Sequence, residues 1–186
     1  VDLSGEIAGN ISNLYSGLKL NFYTASFGQG LAVTPLQLIN AYSAIANGGK
    51  LMKPYIVKEI KSKDGHVIKT EPKIIGTPIS EKTAVKMSSL LTDVVENGFD
   101  KARVAGYAVA GKTGTAQIPD KEGGYLESAD FIHNFVGFGP ADDPRFTILI
   151  KMDKPRGITF AADSLSPTFA EIAKFLFHYF NIPPKQ

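Results

Sequence analysis

Cysteine is absent from the 186 residues. That excludes a disulfide framework, a thiolate nucleophile and any thiolate metal site. Long apolar runs are missing too: no stretch is long or apolar enough to cross a membrane, and no signal peptide opens the chain. Strong charge of either sign is lacking. The net charge is +2, with no arginine-rich or aromatic-interleaved basic stripe, which argues against a nucleic-acid partner. Histidine is scarce, and His66, His133 and His178 lie far apart with no partner at ligand spacing, so no metal and no cofactor is expected. Gly28-Gln29-Gly30 precedes a helix but lacks the lysine and hydroxyl of a phosphate-binding loop.

What is present is ordinary globular composition, 44% hydrophobic and 20% charged. A chain of this length fits one domain and buries roughly 70% of its unfolded surface. It opens at Val1 without an initiator Met, in the loop-like context of Gly5, Gly9, Asn10 and Asn13, which is the expectation for a fragment.

The expected elements follow from caps and periodicity. Thr34 and Pro35 start a helix with Leu38, Tyr42, Ile45 and Ala46 on its buried side, and Asn47-Gly48-Gly49 stops it. Residues 55–61 and 66–69 form a hairpin around Lys63-Asp64-Gly65, its lysines solvated. Ser80 caps a second helix over 79–97, ended by Gly98, whose apolar side is Val85, Leu91, Val94 and Val95. Three consecutive antiparallel strands are expected at 106–118, 131–138 and 146–152, with a polar loop at 120–128. Asp142 and Asp143 could be read as paired carboxylates, but turn chemistry accounts for both. Ser166-Pro167 opens a last helix over 167–180, whose stripe of Phe169, Ile172, Ala173, Leu176, Phe177 and Phe180 would cover the sheet. The fold class is therefore α+β.

One stretch carries chemistry: Ala110-Gly111-Lys112-Thr113-Gly114-Thr115-Ala116-Gln117. It places a cation, two hydroxyls and several small residues in a strand, which suits a peptide-like ligand bearing a carboxylate. Successive side chains of a strand point to opposite faces, so Lys112 and Thr113 share a site only at the strand's edge. Gly111 and Gly114 then become positions of close backbone approach. A lysine on an edge strand also serves simply to discourage aggregation, so the context decides.

Lys-Thr-Gly is one of three motifs of the serine acyl-transfer enzymes that handle penicillin. Of the others, Ser-x-Asn is absent, and Ser-x-x-Lys occurs once, as Ser16-Gly17-Leu18-Lys19, outside any apolar helix start; Ser16 reads as a coincidence. Around the tripeptide, however, SFGQGLAVTPLQLINAYSAIANGG (26–49), GYAVAGKTGTAQ (106–117), FVGFGPADDPRFTILIKMDKP (135–155) and the terminal NIPP (181–184) together resemble class B penicillin-binding proteins, in order and over nearly the whole chain. The resemblance is greater to the septal, cell-division branch than to the elongation branch.

The resemblance implies the C-terminal part of a penicillin-binding transpeptidase domain spanning 1–186, with a partial serine β-lactamase-like fold. Its parent would be a D,D-transpeptidase that cross-links peptidoglycan stem peptides through an acyl-serine, anchored by an upstream segment on the outer face of the bacterial cytoplasmic (inner) membrane. Lys112 would supply positive potential and a proton-network contact. Thr113 and Thr115 would bind the terminal carboxylate of D-Ala-D-Ala or of a β-lactam, the Thr115 N–H would form half an oxyanion hole, and Gly114 would keep the edge clear. The nucleophile would lie upstream, so this chain alone is expected to be inactive, and to pair with the missing half or self-associate. A β-lactam sensor or β-lactamase relative is the alternative; the 26–49 segment speaks against it.

Overall fold

The computed structural model describes residues 4–119 and 130–185. In chain order, a 3-10 turn at Ser12–Tyr15 leads to α1 (Lys19–Ser26) and α2 (Pro35–Ala46). Four short strands follow: β1 (Leu51–Met52), β2 (Glu59–Lys61), β3 (Val67–Lys69) and β4 (Ile74–Gly76). Then come α3 (Glu81–Gly98), β5 (Ala110–Gln117), β6 (Phe131–Gly139), β7 (Phe146–Asp153) and α4 (Ala161–Tyr179). The architecture is α+β, as the sequence implies. β5, β6 and β7 form one antiparallel sheet in that order, while β1 pairs with β4 and β2 with β3.

Local chemistry explains the first helices. The Thr34 side chain accepts from the Gln37 amide at 3.2 Å while Gln37 Oε1 accepts from the Thr34 amide at 2.9 Å, a reciprocal capping box ahead of Pro35. Gly48 and Gly49 take φ of 63° and 88°, and the Gly49 amide closes on the Ala44 carbonyl at 2.8 Å. Ser80 accepts from the Thr83 amide at 3.2 Å and starts α3.

Alternation along the sheet assigns its two faces. Phe135 and Gly137 of β6 face α4: the rings of Phe135 and Phe169 lie 4.4 Å apart, and a Cβ on Gly137 would fall 2.8 Å from Phe169. Phe177 continues this layer, stacked on Tyr107 at 3.9 Å. On the opposite face Ala110 and Phe138 pack with Leu91 of α3 and with Tyr42, Ile45 and Ala46 of α2. Val95 joins Val109 and Phe135 in the larger cluster, so α3 runs beside the start of β5 and contributes to both layers.

Several expectations need correction. The first strand of the sheet begins at Ala110, not at 106, because Gly106 (φ 81°) and Tyr107 turn there and the Tyr107 amide bonds to the Val104 carbonyl at 3.0 Å. The last helix begins at Ala161, not 167. Pro167 sits inside it, where its missing N–H forfeits only the bond to the Asp163 carbonyl. Ser166 is not a cap but fully buried. Phe180, expected in the apolar stripe, follows the helix and is 46% exposed. Val85 points outward at 64% exposure, the buried side of α3 being Ala84, Leu91 and Val95. In α2 only Ala44 is fully buried; the expected apolar positions are half-covered. The hairpin strands are shorter than expected, three residues each. The polar loop at 120–128 lies outside the described residues.

Candidate active site

Among the described residues β5 is an edge strand, paired only with β6, and its register fixes which of its backbone groups face the edge. The Ile118 amide donates to the Asp130 carbonyl at 3.0 Å, extending the register Ala110↔Phe138 through Gln117↔Phe131. In an antiparallel ladder the bonded pairs alternate. Residues 110, 112, 114 and 116 therefore turn their amides and carbonyls to β6, and Gly111, Thr113 and Thr115 turn theirs to the open edge. The same alternation holds on the other side of β6, where the Lys154 amide donates to the Phe131 carbonyl at 2.8 Å.

Side chains alternate in the complementary sense. Lys112, Gly114 and Ala116 share the face of Asn134 and Val136, turned towards α2, whereas Gly111, Thr113 and Thr115 share the α4 face with His133 and Phe135. The sequence requirement that Lys112 and Thr113 meet only at the edge is met literally. Lys112 Nζ curls over the edge to donate to the Thr113 carbonyl at 2.9 Å, and lies 3.5 Å from the Thr113 hydroxyl. Nζ also sits 5.4 Å from the centroid of the Phe99 ring, a cation–π distance. Partial burial disfavours the charged form and pulls the Lys112 ammonium below the usual lysine range.

The Thr115 hydroxyl is oriented by a distant element. Its Oγ1 accepts from the Ala161 amide, the first N–H of α4, at 3.0 Å. Thr115 thus satisfies one of the orphan donors of that helix. With a lone pair so occupied, its O–H proton is available to an incoming acceptor. The helix's positive end lies beside it and favours an anion.

These groups border a cleft of about 800 Å³. One wall is β5 from Lys112 to Gln117; the other is the 26–33 loop with Pro35, Leu38 and Tyr42 of α2; Asn134, Val136 and Lys151 line it as well. The Tyr42 phenol is raised above its ordinary pKa by burial, so it stays protonated as a donor. Asn134 and Lys151 were not foreseen. Asn134 faces Gly114 in register and Lys151 faces Asn134, a row that only strand pairing reveals.

The two glycines divide the work. A Cβ on Gly111 would meet Phe135 Cε1 at 2.8 Å, so the close approach there is to the core. Among the described residues a Cβ on Gly114 would meet nothing nearer than Asn134 Cβ at 3.7 Å, and none of them demands glycine there. Gly111→Ala is expected to lower stability by about 1–3 kcal/mol through overpacking. Gly114→Ala should change stability by less than about 0.5 kcal/mol yet slow penicillin acylation of a complete domain by about tenfold, by misplacing the ligand at the edge. Paired denaturation and acylation measurements check both, and stability loss at Gly114 with normal acylation would reverse the assignment.

Ser16 stands apart. It is exposed, closes the first 3-10 turn, donates to the Asn13 carbonyl at 2.8 Å and accepts from the Leu18 amide at 3.2 Å and from Asn21 Nδ2 at 2.7 Å. It does not line the cleft. Asp142 lies in the turn after β6 and pairs with Lys185, which holds its carboxyl below the usual range. Among the described residues no group of three or more His, Cys, Asp or Glu side chains could hold a metal ion.

Known proteins resemble this chain along most of its length. Residues 1–174 match the family model described as penicillin binding protein transpeptidase domain. Stage V sporulation protein D of Bacillus subtilis is 38% identical over all of the chain, and PbpB of Mycolicibacterium smegmatis 36% over 98% of it. The chain spans 29% and 30% of those two proteins. Penicillin-binding protein 3 of Mycobacterium tuberculosis, solved in complex with ampicillin, superposes with a TM-score of 0.88 at 33% identity, covering all of this chain and 43% of that one. With the family model covering nearly the whole chain and the Lys-Thr-Gly strand at the rim of a cleft, the chain belongs to the transpeptidase-domain family of class B penicillin-binding proteins.

Proposed function

We propose that this chain forms the sheet-bearing wall of a peptidoglycan D,D-transpeptidase active site of the cell-division type. The observation that carries this reading is the free edge of β5, where Lys112, Thr113, Gly114 and Thr115 present a cation, two hydroxyls and outward-facing amides along a cleft. A D-Ala-D-Ala stem ends in a carboxylate, as does the bicyclic core of a penicillin, and both present peptide-like edges. Such a ligand lies antiparallel to the strand edge with its carboxylate at the Thr113 and Thr115 hydroxyls. Lys112 supplies positive potential, and its lowered pKa eases proton exchange with a neighbouring hydroxyl. The Thr115 N–H, turned outward, serves as one donor to the developing oxyanion, a contribution of ~3 kcal/mol per donor. No step requires a cofactor.

Acyl transfer needs a nucleophile held against a base. The single Ser-x-x-Lys match does not meet that need: Ser-x-Asn is absent from the sequence and Ser16 has no base among its partners. The reaction belongs to a complete domain, in which a Ser-x-x-Lys helix outside this sequence faces β5. The open apolar surface of the first third supports that reading. Tyr15, Leu18, Leu20, Phe22, Tyr23 and Phe27 are all more than half exposed, and α1 buries no residue. The helical remainder of the domain, or failing that a second copy, would cover them. Among the described residues no helix is long and apolar enough to cross a membrane; the extracytoplasmic side, where the peptidoglycan substrate lies, is the proposed location of the parent enzyme.

The 186-residue polypeptide incubated with a fluorescent penicillin is expected to show no covalent label above a Ser16→Ala control. Stoichiometric labelling lost in that control would make Ser16 the nucleophile and overturn the division of labour.

A further inference from the structure

His133 is the one charged-type side chain buried completely among the described residues. It lies directly opposite Thr115 in the β5–β6 register, on the same face. Its ring reaches across to the chain that opens α4: Nε2 is 3.1 Å from the Thr159 carbonyl and Nδ1 is 2.9 Å from the Ser164 hydroxyl. A carbonyl can only accept, so Nε2 carries the proton, and in the neutral ring Nδ1 accepts from Ser164. His133 thereby pins one residue before the helix start and one inside its first turn. Between them lies Ala161, whose amide donates to Thr115 Oγ1.

We infer that His133 is a positioning residue for carboxylate recognition: through Thr159 and Ser164 it holds the Ala161 amide on Thr115, and so aims the Thr115 hydroxyl at the ligand. The inference rests on the reading of Thr115 as a carboxylate donor. Its physical content is the geometry of a buried polar strut. Each end of His133 is satisfied, and each bond fixes the segment carrying the donor that fixes Thr115. A merely space-filling residue at 133 would leave 159–161 free to shift by the fraction of an ångström that a 3.0 Å bond does not tolerate.

The test compares acylation of the complete domain by benzylpenicillin and by its methyl ester, which lacks the anionic carboxylate. Thr115→Val, His133→Phe and His133→Gln are measured beside the parent. Gln keeps a donor for Thr159 and an acceptor for Ser164, whereas Phe fills the space without either. His133→Phe should slow benzylpenicillin by about tenfold and the ester by less than about threefold, so that discrimination collapses as in Thr115→Val, and Gln should restore most of it. If Thr115→Val loses discrimination while His133→Phe keeps it, or slows both ligands alike, the inference fails and the Thr115 reading stands. If Thr115→Val itself keeps discrimination, that reading fails and takes the inference with it. Should His133→Phe not fold, Ser164→Ala replaces it with the same expectation. Imidazole ¹⁵N NMR of the parent supplies an independent check: Nε2 of His133 should carry a proton, and a ring protonated on Nδ1 alone would contradict the strut.

Discussion

Lys112→Ala in a complete domain is expected to slow acylation by benzylpenicillin roughly a hundredfold to a thousandfold, the range for removing one preorganised electrostatic stabiliser. Among the described residues Nζ forms no ion pair. It is drawn over the edge of β5 onto the Thr113 carbonyl and towards the Thr113 hydroxyl, beside the ring of Phe99. Partial desolvation there strengthens its interaction with a ligand carboxylate and lowers the cost of passing a proton. The loss should fall on the acylation rate constant, and the melting temperature should hardly move, because Lys112 lies at the strand edge outside both buried clusters. Lys112→Arg should recover little, since a planar guanidinium neither replaces a compact ammonium at the edge nor gives up a proton. Stopped-flow or gel-based acylation with a reporter penicillin reads the effect. Acylation within about twofold of the parent, with turnover unchanged, would remove Lys112 from the site.

The largest stability effect is expected at Phe169. Its ring is fully buried, lies 4.4 Å from that of Phe135 at an interplanar angle of 30°, and presses on the backbone at Gly137. Phe169→Ala should cost about 3–5 kcal/mol through lost burial and the cavity left between α4 and the sheet. Urea denaturation should show the midpoint fall with the slope unchanged. Phe175 provides the control. It is on the same helix but 64% exposed, and its only ring partner among the described residues is Tyr179 at 5.9 Å; its Ala variant should lie within about 0.5 kcal/mol of the parent. Equal losses at the two positions would mean that α4 does not pack on the sheet as described. The coupling matters for function as well, because the helix that Phe169 anchors is the one whose first amide orients Thr115.

What could be read from sequence divides by the range of the interactions involved. Thr34 and Ser80 were legible as caps because their partners lie three residues away. The sheet order was legible because β5, β6 and β7 are consecutive and joined by turn-forming sequence. The start of α4 was not. Its first donor is satisfied by Thr115, 46 residues upstream, so the local Ser166-Pro167 signal pointed six residues too late. Val85 misled because a valine at helical spacing looks apolar-sided whether or not anything packs against it; here its side of α3 is open. In the site, the Lys-Thr-Gly stretch and its place at a strand edge were legible from residue types alone. Which amides face outward needed the register, set by Ile118 and Asp130. Asn134, Lys151 and His133 needed tertiary structure, since the first two reach the cleft and the third the start of α4 only across the fold.

The central claim is that the free edge of β5 receives the ligand's carboxylate. A crystal structure of the complete domain acylated by benzylpenicillin tests it most directly. The carboxylate should lie within hydrogen-bond distance, about 2.5–3.0 Å, of the Thr113 or Thr115 hydroxyl, with the acyl oxygen on the Thr115 amide. A carboxylate held elsewhere, with neither threonine in contact, would contradict it.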